Sequence, residues 1–387
     1  MTQKSASLKF IILLGFVSLC ADATYVGARS ITGAFLGTLG ASGTIVGLVA
    51  GLGELIGYGL RLVTGYLSDQ TRKYWGITTL GYFINTAAVP LLALAGRWEV
   101  AAGLMIAERT GKAIRTPARD VLLSHAAMQV GRGFGFGLHE AMDQIGAVLG
   151  PLIVAGMLYL QKGYHGAFAI LVIPAVLGLV ILLVAQRIYP NPSEFEPKTF
   201  DLKGEGLPKI FWIYLGAIAL VAAGYADFPL IAFHFQKASI GSQDQIPLFY
   251  ALAMGVDAIA ALAFGRWFDR IGFTSLTLAV LLSSLFAPLV FLGNSVMAFV
   301  GMVLWGIGMG AQESIMKAAV TGMVPADKRG SAFGIFNTGY GLAWFSGSAL
   351  MGILYDRSVI TLVLFSVVIQ LVAIPILLLV QRQINRV

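Results

Sequence analysis

The sequence has one cysteine, Cys20, and only four histidines. A single cysteine excludes a disulfide within the chain and a thiolate metal cage. Charge is scarce too: Asp, Glu, Lys and Arg make up 12% of the residues, where soluble domains carry about 25%. No glycine-rich phosphate loop closes on Lys-Ser or Lys-Thr, so ATP hydrolysis by that device is excluded, and no His-Glu-x-x-His is present. The chain is therefore expected to be no enzyme, with no cofactor and no bound metal. A net charge of +7 could suggest nucleic acid. In so apolar a chain it reads instead as the inside bias of a membrane protein, and no nucleic-acid partner is expected.

What the chain has is hydrocarbon. Its 387 residues are 57% hydrophobic, more than a soluble protein hides, so its solvent is the lipid bilayer. Twelve apolar runs lie at about 8–36, 41–67, 75–95, 98–124, 133–160, 165–187, 210–236, 245–268, 273–292, 296–323, 330–355 and 358–381. A helix crosses the hydrocarbon with about 20 residues. The runs lack apolar/polar alternation, which argues for helices over a β-barrel. The first has no small-residue cleavage signal with a break after it and is read as a retained span. With both termini cytoplasmic, eighteen Lys and Arg fall inside and only Arg97, Lys162, Lys237 and Arg357 outside. That bias predicts a multi-pass protein of the inner (plasma) membrane, expected to be a monomer.

Two short polar hinges organise the runs. Gly65-Tyr-Leu-Ser-Asp69, followed by Arg72 and Lys73, lies between the second and third runs. Gly265-Arg-Trp-Phe-Asp269-Arg270-Ile-Gly272 repeats the Gly-x-x-x-Asp spacing 200 positions later. Other pairs recur at offsets of 197 to 205: Glu108 with Glu313, Lys112 with Lys317, Arg132 with Arg329, and Gly150 with Gly347. Such a set predicts a duplication in parallel orientation. The expected fold is an all-α membrane protein of 12 transmembrane helices in two pseudo-symmetric six-helix bundles. They are residues 1–187 and 210–387, joined by a cytoplasmic linker at 188–209 that is rich in proline and mixed charge.

Ionisable residues inside the runs cost several kcal/mol unless paired or watered. Asp22 and Arg29 are seven apart, as are Glu54 and Arg61, so each pair shares a helix face about 10 Å apart. They are too distant to pair directly and need partners on other helices or water. Glu108, Arg109 and Lys112 follow in the fourth run; His139, Glu140 and Asp143 open the fifth. In the second half come Asp227 and His234, again seven apart, then Asp257, Glu313 and Lys317. Glu108–Lys112 and Glu313–Lys317 are i,i+4 pairs able to neutralise each other. His139 and Asp143 share a face, where an imidazole can titrate near neutral pH. The third and sixth runs read as peripheral supports, and Trp305, Tyr340 and Trp344 as helix packing. Together these charges predict a polar cavity for a small-molecule or ion substrate and for protons.

Twelve spans in two parallel halves, with the hinge after the second, resemble the major facilitator superfamily. The resemblance is carried by three motifs. Gly65, Leu67 and Asp69 fit the family's loop signature, with Arg72 and Lys73 as its basic end and its second glycine missing. The copy at Gly265, Asp269, Arg270 and Gly272 fits the front. Arg109 resembles the basic residue of the fourth span. Gly146, Gly150 and Pro151 match the Gly-x-x-x-Gly-Pro of the fifth. The resemblance implies that Gly65, Asp69, Arg72, Gly150, Pro151, Gly265, Asp269 and Arg270 serve gating. It implies secondary transport by alternating access and, from the fifth-span motif, proton-coupled export. Uptake or exchange of a small anion, or divalent-metal transport through Asp22, Asp227, His234 and Glu313, stand as alternatives.

Overall fold

The computed structural model describes residues 3–190, 206–324 and 329–384; the side chains of Gln3, Lys4, Arg132, Lys317, Arg329 and Ser331 lie outside the described residues. Lys328 and most of the 188–209 linker lie outside them as well. Every described element is a helix. Two compact units emerge. The first holds Met1–Leu39, Ile56–Thr199 and Gln243–Ala251; the second holds Gly40–Leu55, Phe200–Ser242 and Leu252–Val387.

The first unit contains α1 (Gln3–Thr38), the later part of α2 (Gly43–Thr71), α3 (Tyr74–Leu91), α4 (Trp98–Val130), α5 (Arg132–Tyr159), α6 (Gly163–Ile170) and α7 (Val172–Ile188). α1 runs through its middle and packs on α5, α7 and α4. The α1–α5 contact is made backbone to backbone. A Cβ on Gly146 would strike the Leu19 carbonyl. One on Gly150 would strike the Ala23 carbonyl and lie 2.8 Å from the Gly27 nitrogen. The Gly-x-x-x-Gly spacing thus lays one face of α5 flat against α1, as small residues do between membrane helices. Pro151 follows inside the helix, where neighbouring helices make a proline tolerable.

At the α7 end, Phe10, Ile11, Leu14 and Val17 of α1 meet Trp75, Leu122 and Leu182 in one buried cluster. The Trp75 indole N–H donates to the Tyr189 carbonyl at 2.9 Å, and the Tyr189 hydroxyl to the Ala6 carbonyl at 2.9 Å. α3 turns Leu80, Phe83 and Leu91 outward, as a peripheral support should. Its other face corrects that expectation. Gly81 sits against the Arg115 backbone and Gly111 against Asn85, so Tyr82 and Asn85 are pressed into the most polar helix of the chain.

The second unit contains the start of α2, α8 (Lys209–Gly224), α9 (Phe228–Lys237), α10 (Gln245–Ile271, from Leu252), α11 (Phe273–Ser283), α12 (Phe286–Leu292), α13 (Ser295–Met323), α14 (Arg329–Arg357) and α15 (Val359–Ile384). Three of the expected unbroken spans are interrupted, at Leu171, at Tyr225–Asp227 and at Ser284–Leu285. At the second break α8 stops and α9 restarts behind Asp227. The freed Gly224 carbonyl accepts from the Ser366 hydroxyl (2.6 Å) and the Gln370 amide (3.1 Å), and the Ala226 carbonyl from the Trp305 indole (2.9 Å). Side chains from neighbouring helices supply what the broken ladder lost, the condition for irregular backbone at membrane depth.

Ten helical stretches among the described residues are long and apolar enough to cross a membrane. α4, strung with Glu108, Arg109, Lys112, Arg115, Arg119 and Asp120, and the glycine-rich α14 are not among them.

The two hinges end in the same way. α2 stops at Thr71 with Arg72 at φ +53°, and α10 stops at Ile271 with Gly272 at φ +58°. The Arg72 N–H donates to the Ser68 carbonyl and the Gly272 N–H to that of Phe268, both at 2.9 Å. Arg72 therefore occupies the place of the missing second glycine and takes a positive φ, at a cost of about 1 kcal/mol.

At the opposite end of α2, Asp356 lies past the apolar run 330–355. Burial opposes its charge, but hydrogen bonds from Thr44, Gly43 and Ser42 outweigh it and hold the carboxyl below the usual range. A depressed pKa contributes stability above the unfolded value, about 3.9, and that stability is lost as pH falls through the folded value. Melting of the detergent-purified protein should show Asp356→Asn less stable by about 0.5–1 kcal/mol at pH 7, small because the group is exposed. That gap should close below about pH 4. Gly150→Val, by overpacking α1 on α5, should cost about 1–3 kcal/mol or more in the same assay.

Candidate functional site

The first unit gathers most of its buried ionisable groups where α1, α3, α4 and α5 meet. On α1, Ser18, Asp22, Tyr25 and Arg29 recur every three or four residues and so share one stripe. Asp22 is 8% exposed. One of its oxygens lies 3.6 Å from Nη2 of Arg115, and the other accepts from the Tyr25 hydroxyl at 3.1 Å. The sequence-level expectation that Asp22 needs a partner from another helix is met by α4. Arg115 is 1% exposed, and its guanidinium lies 4.2 Å from the Tyr82 ring centroid. Its Nε and Nη1 have no hydrogen-bond partner.

Lys112 corrects an expectation. Its ammonium donates to the Tyr25 hydroxyl at 2.6 Å and sits 4.1 Å from that ring's centroid. Glu108 meets Arg109 at 3.5 Å and accepts from the Asn85 amide at 2.7 Å. The i,i+4 pairing of Glu108 with Lys112 is thus replaced by contacts to other partners. Glutamate and lysine tips on one helix reach for the nearest polar group, and α1 and α3 come closer.

A second knot sits one helical turn further along α4. Arg119 bonds Asp120 at 2.8 Å, reaches Asp143 at 3.7 Å and donates to the Ser18 hydroxyl at 3.2 Å. Ser18 also contacts the Tyr82 hydroxyl and Nε2 of His139, each at 3.0 Å. His139 Nδ1 faces the same Asp143 carboxylate at 3.5 Å, so these two do share a face. The other Asp143 oxygen has no partner. The chain therefore carries a continuous string of polar groups from Tyr25 through Asp22, Arg115 and Tyr82 to Ser18, Arg119, His139 and Asp143. A string in which donors and acceptors touch can hold charge in an apolar surround and rearrange when one member gains or loses a proton.

Other expected site residues fall elsewhere. Arg61 lies over the Tyr58 ring at 5.1 Å. Arg29 is partly buried and Glu140 exposed. Glu54 is buried, but it belongs to the second unit and Arg61 to the first. Asp227, 1% exposed, accepts from the Trp344 indole at 3.0 Å. His234 Nδ1 instead contacts the Tyr355 hydroxyl at 3.0 Å. Asp227 stands at the start of the same helix and turns to Trp344 while His234 turns to Tyr355, so the seven-residue spacing does not make them a pair. Asp257 is buried against Gly310. Glu313 is exposed, and the Lys317 side chain lies outside the described residues. Among the described residues no three His, Cys, Asp or Glu side chains come together as a metal site. At the hinges, a Cβ on Gly65 would lie 3.7 Å from Pro117 and one on Gly265 3.7 Å from Ser314, and Asp69 is half-buried. Arg72, Asp269 and Arg270 are exposed. Gly150 and Pro151 are placed by helix packing.

Ser18, Tyr25, Tyr82, Asn85, Arg115 and Arg119 were not expected as site residues. The first two could have been found from the three-four spacing around Asp22. Tyr82 and Asn85 gave no signal, because an apolar run with one Tyr and one Asn looks like any lipid-facing helix.

A family model described as Major Facilitator Superfamily matches residues 11–348 and, again, 215–386. An uncharacterized protein of Mycobacterium tuberculosis is 43% identical over 94% of this chain and 91% of its own length. An uncharacterized MFS-type transporter of Methanocaldococcus jannaschii is 29% identical over 90% and 89%. The crystal structure of the nucleoside transporter NupG superposes with a TM-score of 0.75 at 14% identity, covering 99% of each chain.

A double-mutant cycle on Asp22→Asn and Arg115→Gln, read by thermal melting, should give a coupling of about 1–3 kcal/mol. Each single change strands the other charge in a low-dielectric site.

Proposed function

The chain belongs to the Major Facilitator Superfamily, and from that premise we propose that it is a proton-coupled secondary transporter working by alternating access. Membrane transport comes with the family and with the transporters it resembles. The finer reading rests on one observation, the string of paired charges and hydroxyls running from Asp22 to Asp143. In it Asp22, Asp143 and Glu108 are the proton carriers. Arg115, Arg119, Arg109 and Lys112 set how tightly each acid holds its proton, and His139 sits between Ser18 and Asp143 as a relay. In the second unit the buried Asp227 and Asp257 take the corresponding role. Asp69 and Arg72, with Asp269 and Arg270, serve the cytoplasmic gate.

We further propose twelve spans, α4 and α14 included, in two six-helix bundles divided near 188–209. Both termini face the cytoplasm, the membrane is the inner (plasma) membrane, and the monomer is the working unit. The Gly-x-x-x-Gly-Pro match in α5 favours export of a small molecule against protons.

Uptake or exchange of a small anion is the second reading. The observation that favours it is Arg115, a buried guanidinium with two unused nitrogens beside Lys112. Such donors suit a carboxylate. Divalent-metal transport through Asp22, Asp227, His234 and Glu313 has less support, because among the described residues no three His, Cys, Asp or Glu side chains form a metal site.

A stabilisation screen of the purified protein with carboxylates, lipophilic cations and divalent metals would select the substrate. In liposomes its flux should then follow an imposed pH gradient. Asp143→Asn should lower gradient-driven flux at least tenfold while leaving downhill exchange largely intact. Flux indifferent to the gradient in the unaltered protein would refute proton coupling.

A further inference from the structure

The turn between α5 and α6 joins two apolar stretches, Phe134–Tyr159 and Gly163–Ile188, each long enough to cross a membrane. Lys162 stands in that turn. Between Asp143 and Arg187 it is the only residue with a full charge, and none of the ion pairs among the described residues includes it. Its backbone is fixed. The Gln161 N–H donates to the Leu158 carbonyl at 2.9 Å and the Lys162 N–H to the Met157 carbonyl at 3.1 Å. Gln161 at φ +56° and Gly163 at φ +66° reverse the chain on either side, which is how a helix end is closed off. With both termini cytoplasmic, this turn lies at the outer face.

Lys162 borders a groove of about 380 Å³, within the range of about 300–1,000 Å³ usual for small-ligand sites. Its other walls are apolar: Met157 of α5, Gly166, Ala169 and Ile170 of α6, and Ile173 of α7. A Cβ on Gly166 would lie 2.7 Å from the Lys162 Cβ and 3.9 Å from the Met157 methyl, so glycine leaves room for the lysine stem against the helix. α6 ends at Ile170 and α7 begins at Val172. Between them the Leu171 N–H donates to the Phe168 carbonyl at 3.2 Å, a tighter turn than the α-helical one. That turn rotates the side chains of α7 against those of α6 and leaves the groove between them. The groove continues as an exposed apolar stripe, Ile173, Val176, Leu177 and Val180, spaced three and four apart on one face of α7. A cation at the end of an apolar track matches a molecule with an anion at the end of a hydrocarbon chain. The stem of a lysine packs on apolar surface while its ammonium stays at the headgroup level, where it attracts anionic lipid. A free phosphate would leave the groove empty, and a neutral hydrocarbon would leave the charge unanswered.

We propose that this groove is a site for one anionic phospholipid, its phosphate on Lys162 and an acyl chain along α6 and α7. The site belongs to the first unit alone and is independent of proton coupling and of the direction of transport. A seated chain fills the gap at Leu171, where the span is interrupted.

The test uses the full chain purified in detergent, read by native mass spectrometry and by melting, with phosphatidylglycerol or phosphatidylcholine added. The unaltered protein should retain one phosphatidylglycerol at least fivefold more than phosphatidylcholine and melt higher with it. Lys162→Ala should abolish that preference and Lys162→Arg should keep it. Ala169→Phe, which fills the groove, should lower retention of phosphatidylglycerol at least fivefold. Lys237→Ala, which removes a different outer lysine, should change nothing. Without added lipid all four variants should melt with the unaltered chain, which separates lost binding from lost folding. Equal retention of the two lipids by the unaltered protein would overturn the proposal, as would an undiminished preference in Lys162→Ala. Stabilisation by inorganic phosphate alone would assign Lys162 to a soluble anion and overturn it as well.

Discussion

A charged side chain at membrane depth has to find its counter-charge inside the protein, and the first unit is arranged around that need. Asp22 and Arg115 come from helices 93 positions apart in sequence and meet at 3.6 Å, with Tyr25 and Tyr82 filling the remaining sides. Water cannot be relied on to repair a mismatch there, so the pair fixes the facing of α1 and α4. The neighbouring groups follow from it. Once Tyr25 and Tyr82 are held, Lys112 has an acceptor and Ser18 has a place among Tyr82, His139 and Arg119.

Glycine makes that pairing reachable. Gly146 and Gly150 bring α5 to the backbone of α1, and Gly81 and Gly111 bring α3 to that of α4. A longer separation would leave the polar tips unable to touch. The same chemistry has a different outcome in the second unit. There Gly47, Gly51 and Gly352 form a seam between α2 and α14 closed by a carboxylate, and the broken helix at Asp227 is repaired by Ser366, Gln370 and Trp305.

The helical fold was legible because hydropathy is a local property: an apolar run of sufficient length has no stable alternative to a helix in lipid. The hinge spacing was legible too, and at it Arg72 and Gly272 share a positive φ. Asp22, His139 and Asp143 were legible as site candidates, since acids and imidazoles are costly in lipid wherever they occur. Their partners were less so. Arg115 could be taken for the inner end of a span, and Tyr82 and Asn85 for filler, because nothing local marks which face of an apolar helix is turned inward. The i,i+4 expectation for Glu108 and Lys112 failed for a related reason. A helix-local rule describes an isolated helix, and here two neighbours offered nearer partners.

The chain by itself thus determined that it is a bundle of membrane helices with costly charges at fixed places along it. Those facts follow from transfer free energies and spacing, which need no knowledge of neighbours. Only the tertiary structure decided which charge answers which, where a long apolar run breaks, and that a carboxylate on α14 caps α2. Each of these depends on two segments far apart in sequence arriving within hydrogen-bond distance, and distance in space is what a linear order of residues does not carry.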